Sequence, residues 1–292
     1  MASIIATIRR LPLSPQKGQP MDTKKSLIAL AVGASLIIGV QVVAQDMSKV
    51  EIKPTQLSKT VWMMEGAGGN LGVSAGEDMT FVVDDQFAPL SEKITAAVGK
   101  LSSRPVQFIL NTHSHFDHTG GNENFGKAGA VIVAHENVRK RLSAEQVIEA
   151  LKMKLPPAPK AALPVVTFTN DISFHLNGED IRIFHVPRAH TDGDAIVHFT
   201  GSDVIHMGDT YFNGLYPFID YSSAGRVEGM IAAADKVLGM ASDKTKIIPG
   251  HGPLSNKAEL KAYRDMLAAI SGRVKKAIAE GKSDEEIGRA HV

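Results

Sequence analysis

The stretch "NTHSHFDHTGGN", residues 111–122, holds three histidines and an aspartate within six residues: His113, His115, Asp117 and His118. Imidazole nitrogens and carboxylates are the donors that zinc accepts, and a site open to substrate needs them fixed on a rigid element. A single histidine is more often a packed or solvated residue than a ligand. Four candidate donors just after the apolar run "PVQFILNT" reverse that preference. In an extended segment alternate side chains share a face, so His113 and His115 can converge on one cation. Asp117 and His118 follow where the chain turns and point toward a second.

Three later stretches repeat the placement of a polar donor just after a β-run: His190 in "VPRAHTDGD", Asp209 in "HMGDT" and His251 in "IIPGHG". This gives His113, His115 and His190 for one metal, Asp117, His118 and His251 for another, and Asp209 to bridge them. The chain has no cysteine, so any metal must be held by His and carboxylates and no disulfide can brace the fold.

The elements that must position these donors are legible as runs. Strands are expected at "TVWMME", "NLGVSA" and "DMTFVVDD", with a helix over 89–101 and then a strand at "PVQFILNT" buried on both faces. A short strand "AVIVAH" and a basic helix over 136–151 follow. The Pro-rich "LPPAPKAALP" at 155–164 then reads as a joint between two halves. Strands return at "VVTFTN", "ISFHL", "DIRIFHV", "DAIVHF" and "DVIHMG". A helix over 227–240, the strand "KIIPG" and a helix over 256–280 complete the chain. Strand-rich blocks twice followed by helices predict an α/β fold with sheets in the middle and helices outside.

With 292 residues, 43% of them hydrophobic, the chain can bury a substantial core. From Met21, "MDTKK", the apolar "SLIALAVGASLIIGV" and "VVAQ" read as a signal peptide cleaved after Ala44, with Val42 and Ala44 as the small residues of the site. Residues 1–44 are then an extension plus signal, 45–292 the working domain, and the destination the periplasm. The alternative is an uncleaved anchor, since 27–44 is nearly long enough to span a bilayer. Five basic and one acidic residue precede Gln45, so the formal charge of +1 becomes 27 basic against 30 acidic residues after cleavage. No clustered positive charge asks for a nucleic-acid partner. The expected partner is a small-molecule substrate, with no membrane contact after cleavage; oligomeric state leaves no signal in the sequence.

The cluster His-x-His-x-Asp-His, followed in order by His190, Asp209 and His251, resembles the signature of the metallo-β-lactamase superfamily. The resemblance runs from "VWMMEGAGGN" through "PGHG" and the last helix. It implies an αββα sandwich with two Zn2+ ions on the shared edge of its sheets. Such a pair lowers the pKa of a shared water to near 7, supplying hydroxide for attack on a carbonyl. Asp117 then has two roles, as ligand and as the catalytic residue that orients or carries a proton. Asp84, in "FVVDD", matches the family's strand-ending Asp and would steady the cluster from behind. Its other reading is a turn or cap acid. His135, His175, His185, His198, His206 and His291 match no signature position and are read as packed or solvated.

The same resemblance frames the substrate. Export, size and the "THSHFDHTGGN" and "AHTDGD" motifs look like the secreted zinc β-lactamases, whose best-known subclass has a zinc-binding Cys where Asp209 stands. It also has a Lys, which pairs with the antibiotic's carboxylate, where Phe212 stands. Without that cation β-lactam hydrolysis should be weak or promiscuous. A bridging Asp is the arrangement of glyoxalase II and the acyl homoserine lactonases, which makes lactone or thioester hydrolysis the alternative. Tyr211, Asn213, Tyr216, Phe218 and Tyr221 follow Asp209 closely and are candidates to line the pocket, with loop packing as their other reading. A non-catalytic zinc-binding domain is the reading from another class, although a structural site would close its coordination with four ligands. The sequence reading is thus an exported dinuclear zinc hydrolase, with β-lactams ahead of lactones or thioesters.

Overall fold

Side-chain alternation along the strands decides the layers of this molecule. A computed structural model describes residues 46–289, so the signal-like segment and His291 lie outside the described residues. The chain first lays down β1 (Lys53–Gln56), β2 (Val61–Glu65), β3 (Leu71–Ala75), β4 (Thr80–Val83), β5 (Val106–Asn111) and β6 (Val131–His135). A small hairpin, β7 (Gln146–Ile148) and β8 (Met153–Leu155), interrupts before β9 (Val166–Phe168) joins the first sheet beside β6. The second sheet runs in order through β10 (Asp171–Leu176), β11 (Glu179–His185), β12 (Ala195–Phe199), β13 (Val204–His206), β14 (Lys246–Ile248) and β15 (Ser255–Asn256).

In β4, Phe81 and Val83 point one way and Val82 the other; in β5, Leu110 and Ile109 divide similarly. Phe81, Val83 and Leu110 meet Ile181, Ile183, Val197 and Val204 of the second sheet, forming the layer between the sheets. Val82 and Ile109 face outward onto Leu90, Ile94 and Val98, from the helix α1 (Ser91–Val98) and the turn before it, and onto Phe125. On the second sheet Ile196, Ile205 and Ile247 likewise face outward. They meet Met230 and Val237 of one long helix (Val227–Met240) and Leu260 and Leu267 of another (Lys257–Ala279). The stack is α, β, β, α, as the sequence predicts. Among the described residues no helix is long and apolar enough to cross a membrane.

Three expectations need correction. The basic helix ends at Leu142, not 151: the Ser143 hydroxyl donates back to the Arg139 carbonyl at 2.7 Å, and β-branched Val147 and Ile148 go into β7 instead. The Pro-rich 155–164 stretch is no joint between halves, because it runs from β8 into β9 and both of its ends belong before the second sheet begins. In β5 only the second half is fully buried; Val106, Gln107 and Phe108 remain partly exposed.

Candidate metal centre

β5 stops at Asn111, and the chain bends through 112–115 before a four-residue helix, α2 (Phe116–Thr119). His113 and His115 therefore converge because the loop bends, not because they alternate on a strand. Buried hydrogen bonds fix that bend. The Thr112 amide and hydroxyl each donate to the Asp84 carboxylate at 2.7 Å, and the Gly121 amide donates to Asp85 Oδ1 at 2.9 Å. The amide side chains of Asn111 and Asn122 pair reciprocally at 3.0 and 2.9 Å. Asp84 sits at φ 60°, a left-handed conformation that Asp tolerates better than most residues, which lets its carboxylate turn back under the loop.

His190 lies in a turn closed by Asp194, whose carboxylate accepts from the Thr191 amide at 2.8 Å and hydroxyl at 2.6 Å. Asp209 follows β13 in a single 3-10 turn, and His251 follows β14. Two glycines let these loops approach. A Cβ on Gly69 would stand 2.0 Å from His118 Cε1, and one on Gly250 would stand 2.0 Å from Asp209 Oδ1.

Four of the rings have a partner on the nitrogen that faces away from the centre. His115 Nε2 donates to Asp220 Oδ2 at 3.0 Å, His118 Nδ1 to Asp84 Oδ2 at 2.7 Å and His190 Nδ1 to the Phe218 carbonyl at 2.8 Å, while His113 Nδ1 stands 3.0 Å from the Thr112 hydroxyl. A proton held on the outer nitrogen leaves a lone pair on the inner one. His115 Nδ1 and His190 Nε2 then face each other at 2.8 Å, and His113 Nε2 is buried without a partner. Lone pairs converging in a buried space fit a cation and little else.

The donor atoms of His113, His115, His190 and Asp209 lie within 4.8 Å of one another, as do those of Asp117, His118 and His251. Asp209 joins the two groups. Its Oδ2 is 3.5 Å from His190 Nε2, 3.9 Å from His113 Nε2 and 3.4 Å from His251 Nε2, and its Oδ1 is 3.0 Å from His118 Nε2. Asp117 Oδ2 lies 3.3 Å from His251 Nε2. All seven predicted donors are thus brought together, with imidazole and carboxylate chemistry suited to zinc or a similar divalent ion.

The two groups differ electrically. Burial, with the neighbouring His118 charge, holds His113 well below its ordinary value, and burial takes His190 down to about 4 despite Asp209 nearby. Burial also opposes charge on His251, yet Asp209 and Asp117 outweigh it and push that ring up to about 10. Asp117 is pushed up by burial and pulled down more strongly by His118 and His251, to about 2.

Residues with no motif complete the surroundings. Asp220, behind His115, also accepts from the amides of Ser222 and Ser223 at 3.0 and 3.2 Å. Nothing in "FIDYSSAG" distinguishes it from an ordinary turn acid. His206, read as a packed residue, has both nitrogens engaged, with the Asn70 carbonyl at 3.0 Å and the Gly208 amide at 3.1 Å.

The family model of the metallo-beta-lactamase superfamily matches residues 87–255, and the chain belongs to that superfamily, whose members are metal-dependent hydrolases. Two solved structures show the same fold. A metallo-beta-lactamase from Pontibacter korlensis has TM-score 0.61 and 17% identity, covering 75% of this chain and 99% of its own. The DIM-1 metallo-beta-lactamase has TM-score 0.62 and 18% identity, covering 76% and 99%. Among curated proteins, the acyl-coenzyme A thioesterase MBLAC2 of Bos taurus is 19% identical over 204 residues, 65% of this chain and 72% of the relative. A hydroxyacylglutathione hydrolase of Pelagibacter ubique is 27% identical over 148 residues, 50% of this chain and 52% of the relative, so the match spans about half of that protein.

A cavity of about 260 Å³ opens over the donor groups, with His115, Asp117, Asp209 and His251 at its base and Phe87, Phe116, Phe212, Leu215, Tyr216 and Phe218 around it. Of the five pocket candidates only Tyr216 and Phe218 reach it. Tyr211 is fully buried, with its hydroxyl on Ser255 at 2.7 Å and its ring against Tyr263. Asn213 turns away to donate to the Pro253 carbonyl at 3.1 Å, and Tyr221 is exposed on the outside of its turn. Closeness in sequence to Asp209 misled here, because the loop doubles back beneath the long C-terminal helix. Phe212, noted only for the lysine it replaces, stacks on His251 at 5.3 Å between ring centroids. Ile148 and Leu151 of the β7–β8 hairpin also line the cavity, although their stretch read as helix.

Proposed function

We propose that the chain is a dinuclear zinc hydrolase that cleaves the acyl bond of a small molecule. The observation that carries this reading is the Asp209 carboxylate standing between two separate donor groups. A purely structural site closes with four donors, whereas here seven converge and the second group opens into a cavity. His113, His115 and His190 would hold one ion, Asp117, His118 and His251 the other, and Asp209 both. When bound, such ions polarise a carbonyl and bring the pKa of a water down to near neutrality.

The chain's own contribution is orientation and proton handling. Asp220, Asp84 and the Phe218 carbonyl fix the tautomers and angles of three rings. Asp117, ionised and partly exposed at the base of the cavity, can take a proton at Oδ2 and return it to a leaving group.

The order expected from export and size, β-lactams first, reverses here, because Phe212 stands where a cation would pair with a β-lactam's carboxylate and no lysine or arginine lines the cavity, which favours lactones or thioesters. A thioesterase and a hydroxyacylglutathione hydrolase among the relatives support the same preference. Export through residues 21–44, with cleavage after Ala44, belongs to this reading and is checked by N-terminal sequencing of protein recovered from the periplasm.

The test is zinc content together with turnover of a homoserine lactone, a thioester and a chromogenic cephalosporin by wild type and Asp117→Ala. We expect near two zinc per chain and lactone or thioester turnover above that of the cephalosporin, abolished by the substitution. Bound zinc with no turnover of any of the three would sink the proposal.

A further inference from the structure

Ile148 is among the most deeply buried large side chains of the described residues, yet it belongs to none of the four apolar clusters that make the core. It lies in the wall of the cavity over the metal centre, as does Leu151, three residues on. Both come from the β7–β8 hairpin and its 3-10 turn (Glu149–Leu151), an excursion that pairs with neither main sheet. Of the two, Leu151 is partly exposed and offers apolar surface to whatever fills the cavity, while Ile148, itself covered by protein, makes up the wall beside it. Facing it are Phe87, Phe116, Leu215 and Phe218, and the polar lining consists of the donor residues and the Tyr216 side chain.

The hairpin is also seated. The Glu149 amide donates to the Ser222 hydroxyl at 3.3 Å, and that hydroxyl donates in turn to Asp220, the carboxylate behind His115. The wall is thereby tied to the metal centre through three hydrogen bonds in series.

We propose that the β7–β8 hairpin, through Leu151 with Ile148 beside it, is the specificity-determining wall of this site and selects a substrate with an aliphatic acyl chain. This rests on the acyl-bond reading above and deepens it. Each methylene that enters the wall should raise affinity about three- to fourfold until the cavity is full, from the transfer free energy of a buried CH2.

The test uses the metal-loaded full chain and two readouts. Calorimetry on methyl ketones from 2-pentanone to 2-decanone reports binding without turnover, and p-nitrophenyl esters from acetate to octanoate report hydrolysis. Wild type should bind the ketones about three- to fourfold more tightly per methylene. Leu151→Ser, at a partly exposed position, should flatten the chain-length dependence of both series; Ile148→Ala should do the same if it folds. Affinity independent of chain length, or a Leu151→Ser slope equal to that of wild type, would overturn the proposal. Chain-length-dependent ketone binding with no ester turnover would leave the wall standing and count against the hydrolase reading alone.

Discussion

The two donor groups are built differently although they share Asp209. In the first, His113, His115 and His190 are 0–5% exposed, and each ring has its outer nitrogen against a hydroxyl, a carboxylate or a carbonyl. In the second, His118 is buried against Asp84, but His251 and Asp117 are 25% and 20% exposed and face the cavity. His251 is held by the stacked Phe212 ring and by the Asn213 amide on its own carbonyl at 2.9 Å. One side is a preorganised cage of buried imidazoles; the other is a looser, carboxylate-rich edge where substrate can enter. The division is what an open hydrolytic centre needs, with one ion fixed and the other free to meet the reacting groups.

The largest expected effect comes from removing what the groups share. Asp209→Ala should lower activity by more than about 100-fold and weaken both metals, since losing a mere outer partner of a ligand already costs about 10–100-fold. Elemental analysis and kinetics check this, and loss of only one metal would mean that Asp209 serves one group. Next come the outer partners. Asp220→Asn should weaken metal affinity about 10–100-fold in the first group; Asp84→Asn should do so chiefly in the second, whose His118 it holds directly, with a smaller loss in the first through Thr112. Titration with a competing chelator would show which ion each substitution releases, and the same ion lost in both variants would erase the distinction. A smaller effect separates the groups in the unaltered protein. Stepwise chelation should strip the second group first, because its donors are more exposed and less braced. Simultaneous release would show that the bridge, not the bracing, sets retention.

How much of this was readable in advance follows the same division. The donors were legible because each follows a β-run and the first four are densely spaced; "NTHSHFDHTGGN" carries its chemistry in consecutive letters. The layers were legible because neighbours such as Ile109 and Leu110 are both apolar yet must face opposite ways in a strand covered on both sides. Asp220 was not, because its role depends on meeting His115 from 105 positions away, and a turn acid looks alike wherever its carboxylate ends up. Nor was the hairpin. Basic residues at 139–141 continue a helical pattern, and only the Ser143 back-bond and the pairing of β7 with β8 end it. Tyr211 and Tyr221 failed as pocket residues for the converse reason, since both lie near Asp209 in sequence while the loop carries them elsewhere.

The weakest expected effect sits farthest from the cavity but still touches the first group. Arg141 donates to both oxygens of Asp192, at 2.7 and 2.8 Å, tying the end of the 136–142 helix to the turn that presents His190. Both side chains are about a quarter exposed, so water screens the pair and its worth should be near the 0.2–1 kcal/mol of a surface bridge. Asn137 still donates to the Asp192 carbonyl at 2.9 Å, and Asp194 still closes the turn, so the His190 ring keeps its place without the arginine. Arg141→Ala should therefore shift the denaturation midpoint slightly and leave metal affinity within about twofold, since the contacts on the His190 ring itself survive. A tenfold loss of metal in this variant would mean that the first group owes its rigidity to the helix behind the turn, and the cage would then extend further than the hydrogen bonds on its rings.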